Sequence, residues 1–158
     1  MAIPFSISLL GTDHADLSVL CAQFENETDF LIKPMSTSDA TSSVDHIERI
    51  DLLLIMNEPK GDLVKAFQAA GYKGPILALG ETSTQTNETL SLPLRMAHLI
   101  SRLKFHIRNY HASPERYLTI GPFRLYPALR HLVDGAKEPQ KLTDREVDIL
   151  QFLYHEQG

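Results

Sequence analysis

The stretch DLLLIMNEP, residues 51–59, decides how the rest of the chain is read. Five apolar residues, Leu52 to Met56, run between Asp51 and the polar stretch Asn57-Glu58-Pro59. A short unbroken apolar run closed by polar and turn-forming residues reads as a strand buried on both faces, as in a parallel sheet covered by helices. Strands of this kind often end in an aspartate that does chemistry. Here the tip carries Met56.

The flanking sequence repeats the alternation. FSISLL (5–10) reads as a strand closed by Gly11, and residues 14–25 place Leu17, Leu20, Cys21 and Phe24 at helical spacing behind a capping Asp13. DFLIK (29–33) reads as a second strand stopped by Pro34. Residues 36–46 are rich in Ser, Thr and Asp, so any helix there should be short or poorly formed. After the 51–56 strand, residues 61–71 set Leu63, Val64, Phe67 and Ala70 on one helix face, with Gly71 as the stop. PILALG (75–80) is a fourth strand, ETSTQTNE (81–88) has no apolar face, and 89–92 is a short extended piece running into Pro93. A long amphipathic helix covers 94–110, with Met96, Ile100, Leu103, Ile107 and Tyr110 along one stripe and Leu99 widening it.

Strands alternating with helices predict a parallel α/β sheet with helices on both faces over residues 1–111. Residues 112–116 form a linker, and the pattern changes beyond it. Residues 117–142 lack a helical period and are punctuated by Gly and Pro, as in small antiparallel strands. TDREVDILQFLYHEQG (143–158) opens with a capping box, Thr143 and Glu146, and carries an apolar stripe of Val147, Leu150, Leu153 and Tyr154.

Composition narrows the function. At 158 residues the chain can hold one good core, or one domain and part of another. No apolar run reaches the roughly 20 residues of a membrane span, and MAIPFSISLLG reads as a first strand rather than a signal peptide. The single cysteine, Cys21, fits a reducing cytoplasm and a buried structural thiol. A net charge of −5 argues against holding nucleic acid by charge alone. Arg95, Arg102, Lys104, Arg108 and Arg116 nevertheless cluster in 95–116. His98, Arg102 and His106 share a helix face, but His98 and His106 lie two turns apart, too far to share a metal without a third ligand. No phosphate loop, metal-ligand spacing or nucleophile elbow is present, so neither an enzyme nor a cofactor is expected.

The alternation, followed by IGPFRLYP, DG and LTDREVDILQFLYHEQG, resembles response regulators of the OmpR/PhoB class. In that family a flavodoxin-like receiver domain of five parallel strands precedes a winged-helix DNA-binding domain. DLLLIM, AAGYKGPILAL and LPLRMAHLISRL carry the receiver part of the resemblance. A receiver transfers a phosphoryl group to an aspartate with the help of Mg²⁺ and nearby positive charge. The resemblance puts the acceptor position on Met56, the acidic pair on Gly11 and Thr12, the hydroxyl on Gly80, the lysine on Leu92 and the switch aromatic on Thr89. It therefore implies a degenerate pseudo-receiver that is not phosphorylated. It also implies a cis peptide between Leu92 and Pro93, and a fourth helix that is missing or short, since residues 80–91 leave little room for one.

Arg102 and Arg108 fall where the family pairs arginines across a receiver dimer, and His98 shares that helix. A homodimer through 94–110 is thus expected, with His98, Arg102 and Arg108 at the interface. Gly158 matches the end of the winged domain's first helix, so DNA binding is expected only of a longer chain. The chain is then either a fragment of a longer regulator or the product of a truncated gene. The leading reading is a phosphorylation-independent transcription factor. Two others stand beside it: a protein-interaction module without DNA binding, and a small-molecule sensor using a pocket lined by Gly11, Met56, Gly80 and Leu92.

Overall fold

The computed structural model describes residues 3–11, 13–35, 44–57, 62–80 and 86–156. The chain divides into two compact units at residues 107 and 108, a few residues before the expected boundary. In the first unit, β1 (Phe5–Gly11), β2 (Phe30–Met35), β3 (Leu52–Met56), β4 (Ile76–Leu79) and β5 (Glu88–Leu90) form one parallel sheet in the order β2-β1-β3-β4-β5. Around it lie α1 (His14–Gln23), a 3-10 turn (Val44–Arg49), α2 (Asp62–Ala69) and α3 (Met96–His111), the last continuing past residue 107.

The apolar run 52–56 is the centre of the sheet. Leu52 and Leu54 face a core shared with Leu17 and Leu20 of α1 and Leu99 and Leu103 of α3. Leu53 and Ile55 face the opposite core, with Val64 and Phe67 of α2. Successive residues of a strand point to opposite faces, so a continuous apolar run is what a sheet covered on both sides requires. Asp51 holds the entry to β3: its buried carboxylate accepts the Ser6 N–H at 2.8 Å, while its own N–H donates to the Ser6 carbonyl at 2.8 Å. The expected cap of α1 is present, Asp13 accepting the Ala15 N–H at 2.8 Å.

One strand boundary is corrected. Pro34 does not stop β2 but lies within it, opposite Leu9. Because β2 is the edge strand, its outer side makes no ladder bonds, and a proline without an N–H is tolerated there. The 36–43 stretch and residues 81–85 lie outside the described residues.

Parallel strands are usually joined by a dozen or more residues, yet β4 and β5 are joined by residues 80–87. That segment is too short for a helix of several turns with its returns. Asn87 ties the start of β4 by two bonds, its Oδ1 accepting the Ile76 N–H and its own N–H donating to the Ile76 carbonyl, both at 2.8 Å. At the other end the Gly80 N–H donates to the Leu90 carbonyl at 3.0 Å. The Leu92–Pro93 peptide is cis.

The second unit has an antiparallel sheet of β6 (Leu118–Ile120), β7 (Phe123–Tyr126), β8 (His131–Asp134) and β9 (Gln140–Lys141), followed by α4 (Asp144–Glu156). The capping box forms as read: Glu146 accepts the Thr143 N–H at 2.8 Å, and Thr143 Oγ1 accepts the Glu146 N–H at 3.3 Å. Its core is Leu118, Leu125, Leu142, Val147 and Tyr154. Along the expected stripe on α4, Val147 and Tyr154 are buried and Leu150 packs partly against them, while Leu153 is half exposed alongside Ile149 and Phe152.

Candidate functional site

Ligands of open α/β sheets bind outside the carboxyl ends of the strands. Here those ends bring Gly11 beside Met56, and Met56 beside Leu79. Thr12 lies outside the described residues. Gly11 is not simply a residue lacking a side chain. A Cβ there would meet Leu17 Cδ2 at 2.8 Å and the Met56 carbonyl oxygen at 3.0 Å. Leu17 is buried, so it occupies the space an acidic side chain would need. Gly80 has φ +79°, and a Cβ on it would run into Asn57 Oδ1, with Leu92 Cδ1 at 3.7 Å. Asn57 itself has φ +47°, a left-handed conformation that Asn adopts more readily than most side chains.

The strand tip therefore presents a thioether, which is at best a weak acceptor and has no oxygen to take a phosphoryl group. Asp13 is committed to capping α1. Among the described residues no group of three or more His, Cys, Asp or Glu is placed to hold a metal ion. Cys21 is half buried, and burial pushes its thiol above the usual range, so it stays protonated as a structural thiol does.

A cavity of about 290 Å³ opens at this edge. Leu20 of α1, Met56 and Leu79 at the strand ends, and Leu92, Met96 and Leu99 leading into α3 line it, and Asp16, Gln23 and Asn57 add polar groups. Of the four positions expected around such a pocket, Met56 and Leu92 line it. Gly11 and Gly80 are not among its lining residues: the first is covered by Leu17 and the second turns against Asn57.

The histidine and arginine positions on α3 separate. Arg102 and His106 converge on Glu88 of β5, whereas His98 and Arg108 are exposed. Arg102 Nε donates to both Glu88 oxygens at 2.9 and 2.8 Å, a second guanidinium nitrogen lies 2.6 Å from Oε1, and Phe105 stacks 4.5 Å from the guanidinium. His106 Nε2 is 3.6 Å from Glu88 Oε1. Arg102, expected at a dimer interface, is thus engaged by Glu88 within the chain, and reversing it would place two carboxylates together.

The Arg102 hydrogen bonds, and secondarily the Arg102 and His106 charges, hold the Glu88 carboxyl below its ordinary value of 4.5. A carboxyl depressed in the folded state stabilises the fold above its unfolded value and loses that contribution as pH falls through the folded one. Glu88→Gln should therefore lower the urea midpoint at pH 7, and the gap to the parent should close as pH drops below about 4.5. A gap unchanged at pH 3 would show that the pair contributes nothing through ionisation.

No protein-family model and no curated protein matches this sequence. Solved structures do. A response-regulator receiver domain protein from Bacillus halodurans aligns at 18% identity with a TM-score of 0.51, over 66% of this chain and 97% of that one. The receiver domain of a sensor histidine kinase from Pseudomonas aeruginosa, with magnesium coordinated in its active-site cleft, aligns at 19% and 0.51, over 67% of this chain and 99% of that one. The first unit has the fold of a response-regulator receiver domain. At these identities the likeness is one of fold. No described helix is long and apolar enough to cross a membrane.

Four residues that shape this sheet were not singled out as such from the sequence: Leu17 over Gly11 and Asn57 against Gly80 at the carboxyl ends of the strands, and Asn87 on Ile76 and Glu88 under Arg102 toward their amino ends. Leu17 and Asn87 carried a local signal, one as an apolar helix residue and the other as a turn former. Their partners lie on other elements, and spacing does not reveal them.

Proposed function

We propose that this chain is a receiver-type regulatory module that works without phosphorylation, within a transcription regulator related to the OmpR/PhoB class. The observation that carries the reading is the strand tip. Met56 stands where the resemblance puts the acceptor, and beside it Leu17 fills the space a side chain at position 11 would use. Signalling then depends on binding. The exposed His98, Phe105 and Arg108 of α3 support contact with a second copy or a partner regulator. The second unit, four short antiparallel strands and a capped helix, is read as the opening of a winged-helix domain. The −5 net charge leaves phosphate attraction weak across this chain as a whole.

The test is incubation with acetyl phosphate and Mg²⁺, read by intact-protein mass beside a phosphorylatable receiver as control. The control gains phosphate and this chain does not. A gain of one phosphate on this chain overturns the proposal.

A further inference from the structure

We infer that the cavity at the carboxyl edge of the sheet is a binding site for a small, mainly apolar molecule carrying a cationic or hydrogen-bond-donating head. Its walls are aliphatic side chains and two thioethers, from α1, the strand tips and the start of α3. An apolar cavity of about 150 Å³ admits a benzene-sized ring. At about 290 Å³ this one is at the lower end of ligand sites and suits roughly a dozen non-hydrogen atoms. That is far too small for a helix or a domain.

Two lining residues are large aliphatics left in solvent: Val19 is 61% exposed and Leu92 47% exposed. A ligand spanning the mouth would cover them, and neither has another evident reason to be apolar. The polarity is one-sided. Gln23 and Asn57 offer hydrogen bonds, and the charged group among the described lining residues is the Asp16 carboxylate. A carboxylate at a partly apolar mouth favours a cation or a donor over an anion. The mouth lies beside Met56, where a receiver places its phosphate, so occupancy here would report a small molecule at the same edge. Binding requires no phosphate chemistry and stands or falls apart from it.

The test compares 4-phenylbutylamine with 4-phenylbutyrate, similar in size and opposite in head-group charge, on the full chain with labelled leucine methyls. Affinity should be on the order of 0.1–1 mM for ligands of this size. Saturable shifts should appear at Leu20, Leu79, Leu92 and Leu99 and not at Leu118 or Leu125 of the second unit. The amine should bind at least roughly threefold tighter than the carboxylate. Val19→Trp, at an exposed position that should not disturb folding, should weaken the amine about tenfold by narrowing the mouth. Asp16→Asn should remove the preference for the amine. Absence of saturable shifts with both probes, or shifts unaffected by Val19→Trp, overturns the site. A tighter carboxylate, or a preference that survives Asp16→Asn, overturns the head-group assignment.

Discussion

Phe67→Ala should remove about 3–5 kcal/mol of unfolding free energy, a large part of the roughly 5–15 kcal/mol a domain typically has. The helix it belongs to, α2, is only 8 residues long, well short of the dozen or more that hold a helix together in water. Its existence depends on Val64 and Phe67, both fully buried against one face of the sheet. Phe67 touches the core that contains Leu53 and Ile55 of β3, so truncation would leave a void under the central strand. The chain has no tryptophan, so the loss is best followed by far-UV circular dichroism in urea. Leu31→Ala, at a residue 60% exposed on the edge strand, is the control and should change stability by less than about 0.5 kcal/mol. A Phe67→Ala protein within about 1 kcal/mol of the parent would mean that α2 is held by something else.

Restoring acidic residues at the strand tips should not restore phosphorylation. Gly11→Asp is expected to cost about 1–3 kcal/mol, the usual range for forcing atoms into an occupied site. Its Cβ alone would overlap Leu17 and press on the Met56 carbonyl. Any shift of Leu17 disturbs the core it shares with Leu20 and Leu99. The double variant Gly11→Asp with Met56→Asp supplies an acceptor and one metal-binding carboxylate. Gly80 and Leu92 still leave it without the hydroxyl and lysine, and Gly80 lies against Asn57. The double variant should therefore remain unphosphorylated by acetyl phosphate and Mg²⁺, while unfolding at lower urea than the parent. A phosphorylated double variant, or one as stable as the parent, would show that the edge has kept room for the chemistry.

What could be read from the sequence alone was local. The five-residue apolar run at 52–56 announced a strand buried on both faces, because only a two-sided environment makes both parities of a strand apolar. Asp13 announced the start of α1, and Thr143 with Glu146 the start of α4, because a cap bonds to backbone groups two or three residues away. Pro34 misled because a proline's effect depends on whether the strand has a neighbour on that side, which strand order decides. The α4 stripe shows a similar limit: spacing tells which residues share a face, and the tertiary partners determine how much of it is covered. The Glu88–Arg102 pair, the Asn87 ties to Ile76, the filling of the space at Gly11 by Leu17 and the cavity beside Met56 each join residues on different elements. Only the folded sheet brings those elements together. Distances across it depend on strand order and helix packing, which the spacing of residues along the chain does not encode.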